Sequence, residues 1–234
     1  MTHNTPQKSA FTQLPEFIGQ TPATLEIPDN TSKIIITDEL QNSQITINSD
    51  CNITFVAILK NGWAEPKVLN FNFHGQNSTL NFITIILGTN NHKFPFQTFS
   101  NHHQPRNNAY YFVRCAMFDH SEVDYVGNLI IKPKAQITDS YLAHHTLMLS
   151  PHAKTRTIPS LEIEADDVKA GHAATVGNID DELLFYLGSR GINQREAQDL
   201  LIQSFVECDL AKIPNKEIQE ILAKEIQKLT TAHY

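Results

Sequence analysis

The side chains able to do chemistry in this chain are mostly imidazoles. Of its 11 histidines, four come as adjacent pairs, His102-His103 and His144-His145, and seven stand singly, among them His74, His92, His120, His152 and His172. Imidazole ligates transition metals and moves protons near neutral pH, but it needs convergent partners to do so. In an extended strand, neighbouring side chains point to opposite faces, so neither pair chelates by itself and one member of each faces solvent. Strands stacked in successive rungs could bring His145, His152 or His103 near one another as a metal site. The plainer reading is histidines on polar faces and corners. Glu162, Glu164, Asp166 and Asp167 form an acidic run suited to a hard cation or to paired carboxylate catalysis, and equally to a solvated strand edge. His172 is flanked by Gly171, Ala173 and Ala174, side chains small enough to let another surface approach closely.

Other chemistries lack their signatures. There is no Gly-x-x-x-x-Gly-Lys-Ser/Thr loop and no Gly-x-Gly-x-x-Gly, so nucleotide phosphates are not held by this chain and any ATP chemistry belongs to a partner. Neither Gly-x-Ser-x-Gly nor His-Glu-x-x-His occurs. The three cysteines, Cys51, Cys115 and Cys208, are widely spaced with no CxxC pair, which suggests neither a disulfide framework nor a zinc ribbon and fits a reducing compartment. Cys51 and Cys115 fall in apolar runs, where a thiol behaves as a small hydrophobe. Cys208, after a helical stretch, is the thiol expected at the surface. A formal net charge of −7 without any Lys/Arg cluster argues against a nucleic-acid partner. No apolar run approaches the roughly 20 residues of a membrane span, and the first residues lack the apolar core of a signal peptide. The expectation is a cytoplasmic protein without a membrane span.

The elements that must position these groups change character once. From Leu25 the chain places β-branched and aromatic residues in short alternating runs: Lys33–Thr37, Gln44–Asn48, Asn52–Phe55, Leu69–Phe73 and Leu80–Phe82. Further runs follow at Ala109–Phe118, Glu122–Ile131, Ala135–Leu149 and Thr155–Ile163. Strand starts recur about every ten to twelve residues with no helix between, compatible with a sandwich, a barrel or a solenoid. Composition leans toward the solenoid. Tight two-residue hairpin turns are scarce, and abundant Asn and Ser suit the corners of a parallel coil, although they suit a polar surface as well. After Gly177 the spacing is helical. Asp180–Glu182 open a first helix with Leu183, Leu184 and Leu187 as its apolar stripe, and Gly191 stops it. Asn193 caps a second helix and Asn215 a third. These helices would cover the open end of the coil or offer a groove to another protein. The division expected is an N-terminal tail or arm over 1–24, a β-helix over 25–177 and a helical domain over 178–234.

The stretch Leu161-Glu-Ile-Glu-Ala-Asp-Asp-Val-Lys-Ala-Gly-His-Ala-Ala-Thr-Val-Gly, followed by Asp180-Asp-Glu-Leu-Leu-Phe-Tyr-Leu-Gly-Ser-Arg-Gly-Ile, resembles the SufB/SufD family of iron–sulfur cluster assembly proteins. So do His103-Gln-Pro, Asp119-His-Ser-Glu-Val-Asp-Tyr-Val-Gly and Leu147–Pro159. The resemblance is nearer to the SufD branch, because Ile163 stands where SufB carries a cluster-assembly cysteine. The SufD motif ends Cys-Ser-His-Gly-Ala-Thr-Val-Gly. Here Ala170 replaces its cysteine, and His172 matches its functional histidine. The resemblance implies a right-handed parallel β-helix with a small helical C-terminal domain, in a shortened member of the family. It implies a non-catalytic scaffold that docks a SufC-like ATPase through the C-terminal helices. A SufB-like subunit, or a second copy, would meet the β-helix end. No cofactor would be held stably by this chain alone. His172 would be an interface ligand for iron or a nascent cluster, or a structural residue in strand pairing. The other function class open to a β-helix is a polysaccharide-active enzyme using the Glu162–Asp167 carboxylates.

Overall fold

The computed structural model describes residues 10–231. Twelve strands come first: β1 (Thr24–Ile27), β2 (Ser32–Thr37), β3 (Ser43–Ile47), β4 (Asn52–Leu59), β5 (Lys67–Phe73), β6 (Thr79–Gly88), β7 (Lys93–His102), β8 (Asn108–Met117), β9 (Glu122–Ile131), β10 (Thr138–Met148), β11 (Lys154–Ile163) and β12 (Val168–Asn178). Three helices follow: α1 (Asp181–Ser189), α2 (Gln194–Glu207) and α3 (Lys216–Thr231). Odd strands form one six-stranded sheet and even strands the other. Every strand pair within them is parallel. The chain therefore winds as a parallel β-solenoid in which each coil gives one strand to each sheet, as the sequence predicts.

Corners of the coil explain the richness in Asn and Asp. Asn30, Asp50, Asn77, Asn90 and Asp119 all have φ between 48° and 59°, the left-handed region that short amide and carboxylate side chains tolerate best. Successive corners also bond to one another: Asn77 Nδ2 donates to Asp50 Oδ1 at 3.1 Å, and Asn90 N–H to Asp119 Oδ2 at 2.7 Å. Ile137, at φ 61°, takes the same corner role, so β10 starts at Thr138 and not at Ala135 as its apolar run suggests.

The two sheets bury different amounts of themselves. Side chains facing the lumen stack coil upon coil, with Phe55, Phe71, Phe82 and Tyr111 in mutual ring contact at 5.2–5.9 Å. In the odd sheet the outer face stays partly wet, and β5, β7 and β9 alternate residue by residue. In the even sheet the outer face is covered as well, so β4 and β6 are buried along nearly their whole length. The cover is the helical tail. Ile202, Val206, Leu210, Ile213, Ile218, Leu222 and Ile226 pack on Ile36, Val56, Ile58, Ile83, Ile85, Leu87 and Ala116. Arg114 on β8 clamps this contact, with Nε 2.5 Å from Asp209 Oδ2 and its guanidinium 5.1 Å over the Phe205 ring.

This corrects one expectation: α2 and α3 lie on the flank of the coil and leave its end open. An apolar stripe three turns long gains more from a flat apolar sheet face than from a coil end a few side chains wide. Leu14 and Phe17 join the same cluster, and Phe17 and Gln20 bridge to Ile36 and Glu39 along the edge of β2. Among the described residues the last coil has no such cover, and β11 and β12 are the edge strands of their sheets at that end.

The close stacking of corners gives a direct test. A Cβ on Gly75 would stand 2.0 Å from the backbone nitrogen of Ser49 on the preceding coil, a contact that no rotamer change relieves. Gly75→Ala is expected to cost about 3 kcal/mol or more in a urea titration. Gly177→Ala, with nothing within 4 Å of the new Cβ, should cost well under 1 kcal/mol.

Candidate functional site

His172 lies in the middle of β12, and register fixes which way it points. Phe55, Phe82, Tyr111, Leu142 and His172 occupy one lateral column across β4, β6, β8, β10 and β12. Parallel strands in register share a face, so the imidazole belongs to the lumen face of the coil. The first four members of the column are at most 1 % exposed, whereas His172 is exposed, because no coil follows to cover it. Its same-face neighbours Ala170 and Ala174 are small. Around it, apolar groups remain in solvent: Val176 is 58 % and Ile163 43 % exposed. The end of the coil is thus a shallow apolar surface with an imidazole at its centre and unpaired strand edges at its rim.

One coil beneath, the lumen is polar. His144 lies in register with Ala174; its Nδ1 is 2.6 Å from Thr157 Oγ1 and its Nε2 is 3.4 Å from Cys115 Sγ. Thr146 and Thr155 hydroxyls meet at 3.2 Å beside them. Burial, with a smaller contribution from His145, pushes His144 down to about 4, and burial pushes the Cys115 thiol up. At neutral pH this is an uncharged pair, and its sulfur is a thiol, not the thiolate that ligates metals. His102 is also sealed in the lumen, stacked on Phe73 at 4.4 Å and bonded through Nε2 to Ser100 Oγ at 2.9 Å; burial pushes it down to about 3.

The remaining histidines do not assemble as stacked rungs would allow. His145 faces outward and bonds Thr175 Oγ1 through Nδ1 at 2.7 Å. His103 meets His74 at one corner, and His152 meets His120 at another. His145, His152 and His103 are therefore not brought together: the three sit on different faces and corners of the coil, in line with the plainer reading. Among the described residues no three His, Cys, Asp or Glu side chains are arranged to hold a metal ion. The acidic run is a surface ladder, with Glu162 and Glu164 both bonded to Lys132 Nζ, at 2.8 and 2.5 Å. That pairing engages two of the four carboxylates on which a polysaccharide-active site would rest. Cys51 and Cys115 are buried and Cys208 is exposed, as the sequence predicts.

Sequence reasoning missed a surface on α1. Asp180 caps this helix as expected, accepting from Glu182 and Leu183 N–H groups, but α1 buries no residue. Leu183, read as part of an inward stripe, is 41 % exposed, and Phe185 and Tyr186 are 81 % and 52 % exposed. Between α1, α2 and the end of β10 runs a cleft of about 430 Å³ lined by Leu149, Pro151, Ile179, Leu184 and Gln198.

Residues 23–205 match the family model of the SUF system FeS cluster assembly SufBD core domain. The chain belongs to the SufBD family. It is 35 % identical over 158 residues to the iron–sulfur cluster assembly protein SufD of Escherichia coli K12, covering 67 % of this chain and 37 % of that protein. With SufD of Bacillus subtilis the identity is 30 % over 157 residues, covering 67 % and 36 %. With the chloroplastic protein ABCI7 of Arabidopsis thaliana it is 35 % over 103 residues, covering 44 % and 22 %. The chain thus spans less than two fifths of the length of these relatives. The matched segment of this SufBD-family chain ends inside α2, so it takes in the open coil end, His172 and α1. Among the described residues no helix is long and apolar enough to cross a membrane.

The two lumen histidines set a pH dependence. In the unfolded chain both protonate near 6.5, whereas in the fold they stay neutral down to about 4 and 3. The unfolded state therefore binds more protons as pH falls, and stability fully present above 6.5 is lost progressively toward pH 3. The urea midpoint should drop between pH 7 and pH 4.5, and His144→Asn should flatten that slope relative to wild type.

Proposed function

We propose that this chain is a non-catalytic scaffold subunit of a SUF-type iron–sulfur cluster assembly complex. It meets a SufB-like subunit, or a second copy of itself, at the open end of the coil, and it docks an ATPase through its C-terminal helices. The observation that carries this reading is the uncovered last coil. β12 has unspent backbone N–H and C=O groups along its free edge, apolar side chains stand in solvent on its lumen face, and its flank is already occupied by α2 and α3. A free edge combined with an apolar face is a template for a partner strand. Helix α1 supplies a second surface, since a helix with no buried residue and a phenylalanine 81 % exposed suits an aromatic anchor in a protein interface. The chain has no phosphate-binding loop of its own, so energy from ATP would enter through that partner.

In this reading His172 is an interface ligand for iron or a nascent cluster, which is the cargo of the complex. Clusters are held mainly by thiolates, and Ala170, two residues away on the same face, supplies none. One imidazole does not hold a cluster, so the other ligands come from the partner across the interface. The small side chains of Ala170 and Ala174 leave room for that approach.

Reconstitution with a SufB-like chain, the ATPase, iron and sulfide tests both parts. Wild type should co-purify with both partners, and failure with both would overturn the scaffold reading. His172→Ala should keep its thermal midpoint and its partners while cluster yield falls ~10-fold, the scale expected for loss of a ligand. Unchanged yield would leave His172 a purely structural residue. Phe185→Ser should leave stability unchanged and weaken capture of the ATPase by about 2 kcal/mol; equal capture would remove α1 from that contact.

A further inference from the structure

Outward side chains of the odd sheet form a ladder of alternating charge, and β11 is its last rung. Glu122 on β9 lies between Lys93 on β7, at 3.1 Å, and Lys154 on β11, at 3.0 Å. Beside it Asp124 accepts from Arg156 Nε and Nη2, each at 2.8 Å, and at the other end of these strands Lys132 holds Glu162 and Glu164. The exposed face of β11 therefore runs from basic at Lys154 and Arg156, through Ile158, to acidic at Glu162. A strand that continued the ladder has to run from acidic through apolar to basic. β11 read in reverse is such a strand.

We propose that a second copy of this chain docks on the coil end, its β11 pairing antiparallel with β11 about a two-fold axis through Ile158; the inference rests on the reading of that end as an interface. Backbone directions fit. Lys154 and Glu164 N–H groups donate to Ser121 O and Ile131 O on the β9 side, both at 2.9 Å, so even-numbered residues turn their backbone groups to β9 and odd-numbered ones face the outer edge. Thr155 and Leu161 of the two copies then exchange hydrogen bonds, and Thr157 N–H donates to Pro159 O. Lys154 faces Glu162, and Ile158 its own copy, at the non-hydrogen-bonded sites where side chains come closest. The charge row becomes Lys93, Glu122 and Lys154, then Glu162 and Lys132 of the second copy. An axis one residue later would set Pro159 against Pro159, two carbonyls with no donor between them. The same axis suits β12. Across the lumen Thr157 bonds His144, in register with Ala174, and Thr155 bonds Thr146, in register with Val176. Ile158 thus stands across from Ala173, and each His172 meets the small Ala174 of the second copy. An isologous interface requires such self-complementarity.

The test is sedimentation of the full chain alone at low salt, for wild type, Lys154→Glu and Glu162→Lys. Both side chains are exposed, so thermal midpoints should change little. Wild type should dimerise. Each variant sets like charges opposite each other at two symmetry-related positions and should weaken the dimer ~10-fold or more. Mixing the two variants restores opposite charges at both positions and should restore the dimer as a mixed pair. A wild-type dimer that ignores both substitutions, or variants that fail to pair on mixing, would overturn the proposal. A wild-type chain that stays monomeric while it captures a SufB-like subunit would overturn the second copy and leave the assembly reading standing; one that does neither would overturn both.

Discussion

Lateral stacking is the constraint on which the rest of this structure depends. Each coil satisfies its backbone hydrogen bonds with the coil before and the coil after, so a solenoid is closed along its length and open at its ends. At the first end, residues around Phe17 and Gln20 run along β2 and spend part of its edge. At the last end none of the described residues plays that part for β12. The same register that buries Phe55, Phe82, Tyr111 and Leu142 delivers the next member of their column, His172, to solvent. Its exposure follows from its place in the series, because every earlier member is covered by its successor.

The helical tail distributes burial unevenly and thereby defines the surfaces left over. Laying α2 and α3 on the outer face of the even sheet makes that sheet apolar on both sides, and the buried Arg114–Asp209 pair fixes where the tail lands. Such a pair specifies position more than it adds stability, since desolvation offsets much of its attraction. With the flank filled, the last coil and α1 still hold large apolar side chains in water, Ile158, Ile163 and Val176 on the coil and Leu183, Phe185 and Tyr186 on the helix.

Polar groups inside the lumen are the structural cost of packing identical corners over one another. Ser100 with His102, Thr98 with Tyr125, and Cys115 with His144 and Thr157 pair within the core, so nearly every buried donor has an acceptor at hand. Burial keeps these histidines neutral and the Cys115 thiol protonated, which separates them from the exposed imidazoles.

Much of the fold was legible in the sequence. Alternating Ile and Phe runs marked most of the strands, abundant Asn and Ser suited the corners without placing them, and Asp180, Asn193 and Asn215 marked the helix starts where they are found. Three strands were not marked, the four-residue β1 among them. In β7 the inward positions pass from Phe94 and Phe96 to Thr98, Ser100 and His102, and in β12 they are Ala170, His172 and Ala174, so hydrophobic alternation fades although the backbone pairing continues. The motif around His172 was readable because it is local. Its surroundings were not, since exposure at the coil end, the pairing of Lys132 with Glu162 and Glu164, and the meeting of His120 with His152 each join residues about thirty positions apart. What the sequence by itself determined is the coil, its corners and the family to which it belongs, all properties of short windows. Only the tertiary structure decided that the helices lie on the flank and the last coil stays open, because that choice compares the apolar area of a sheet face with that of a coil end, and area exists only after folding.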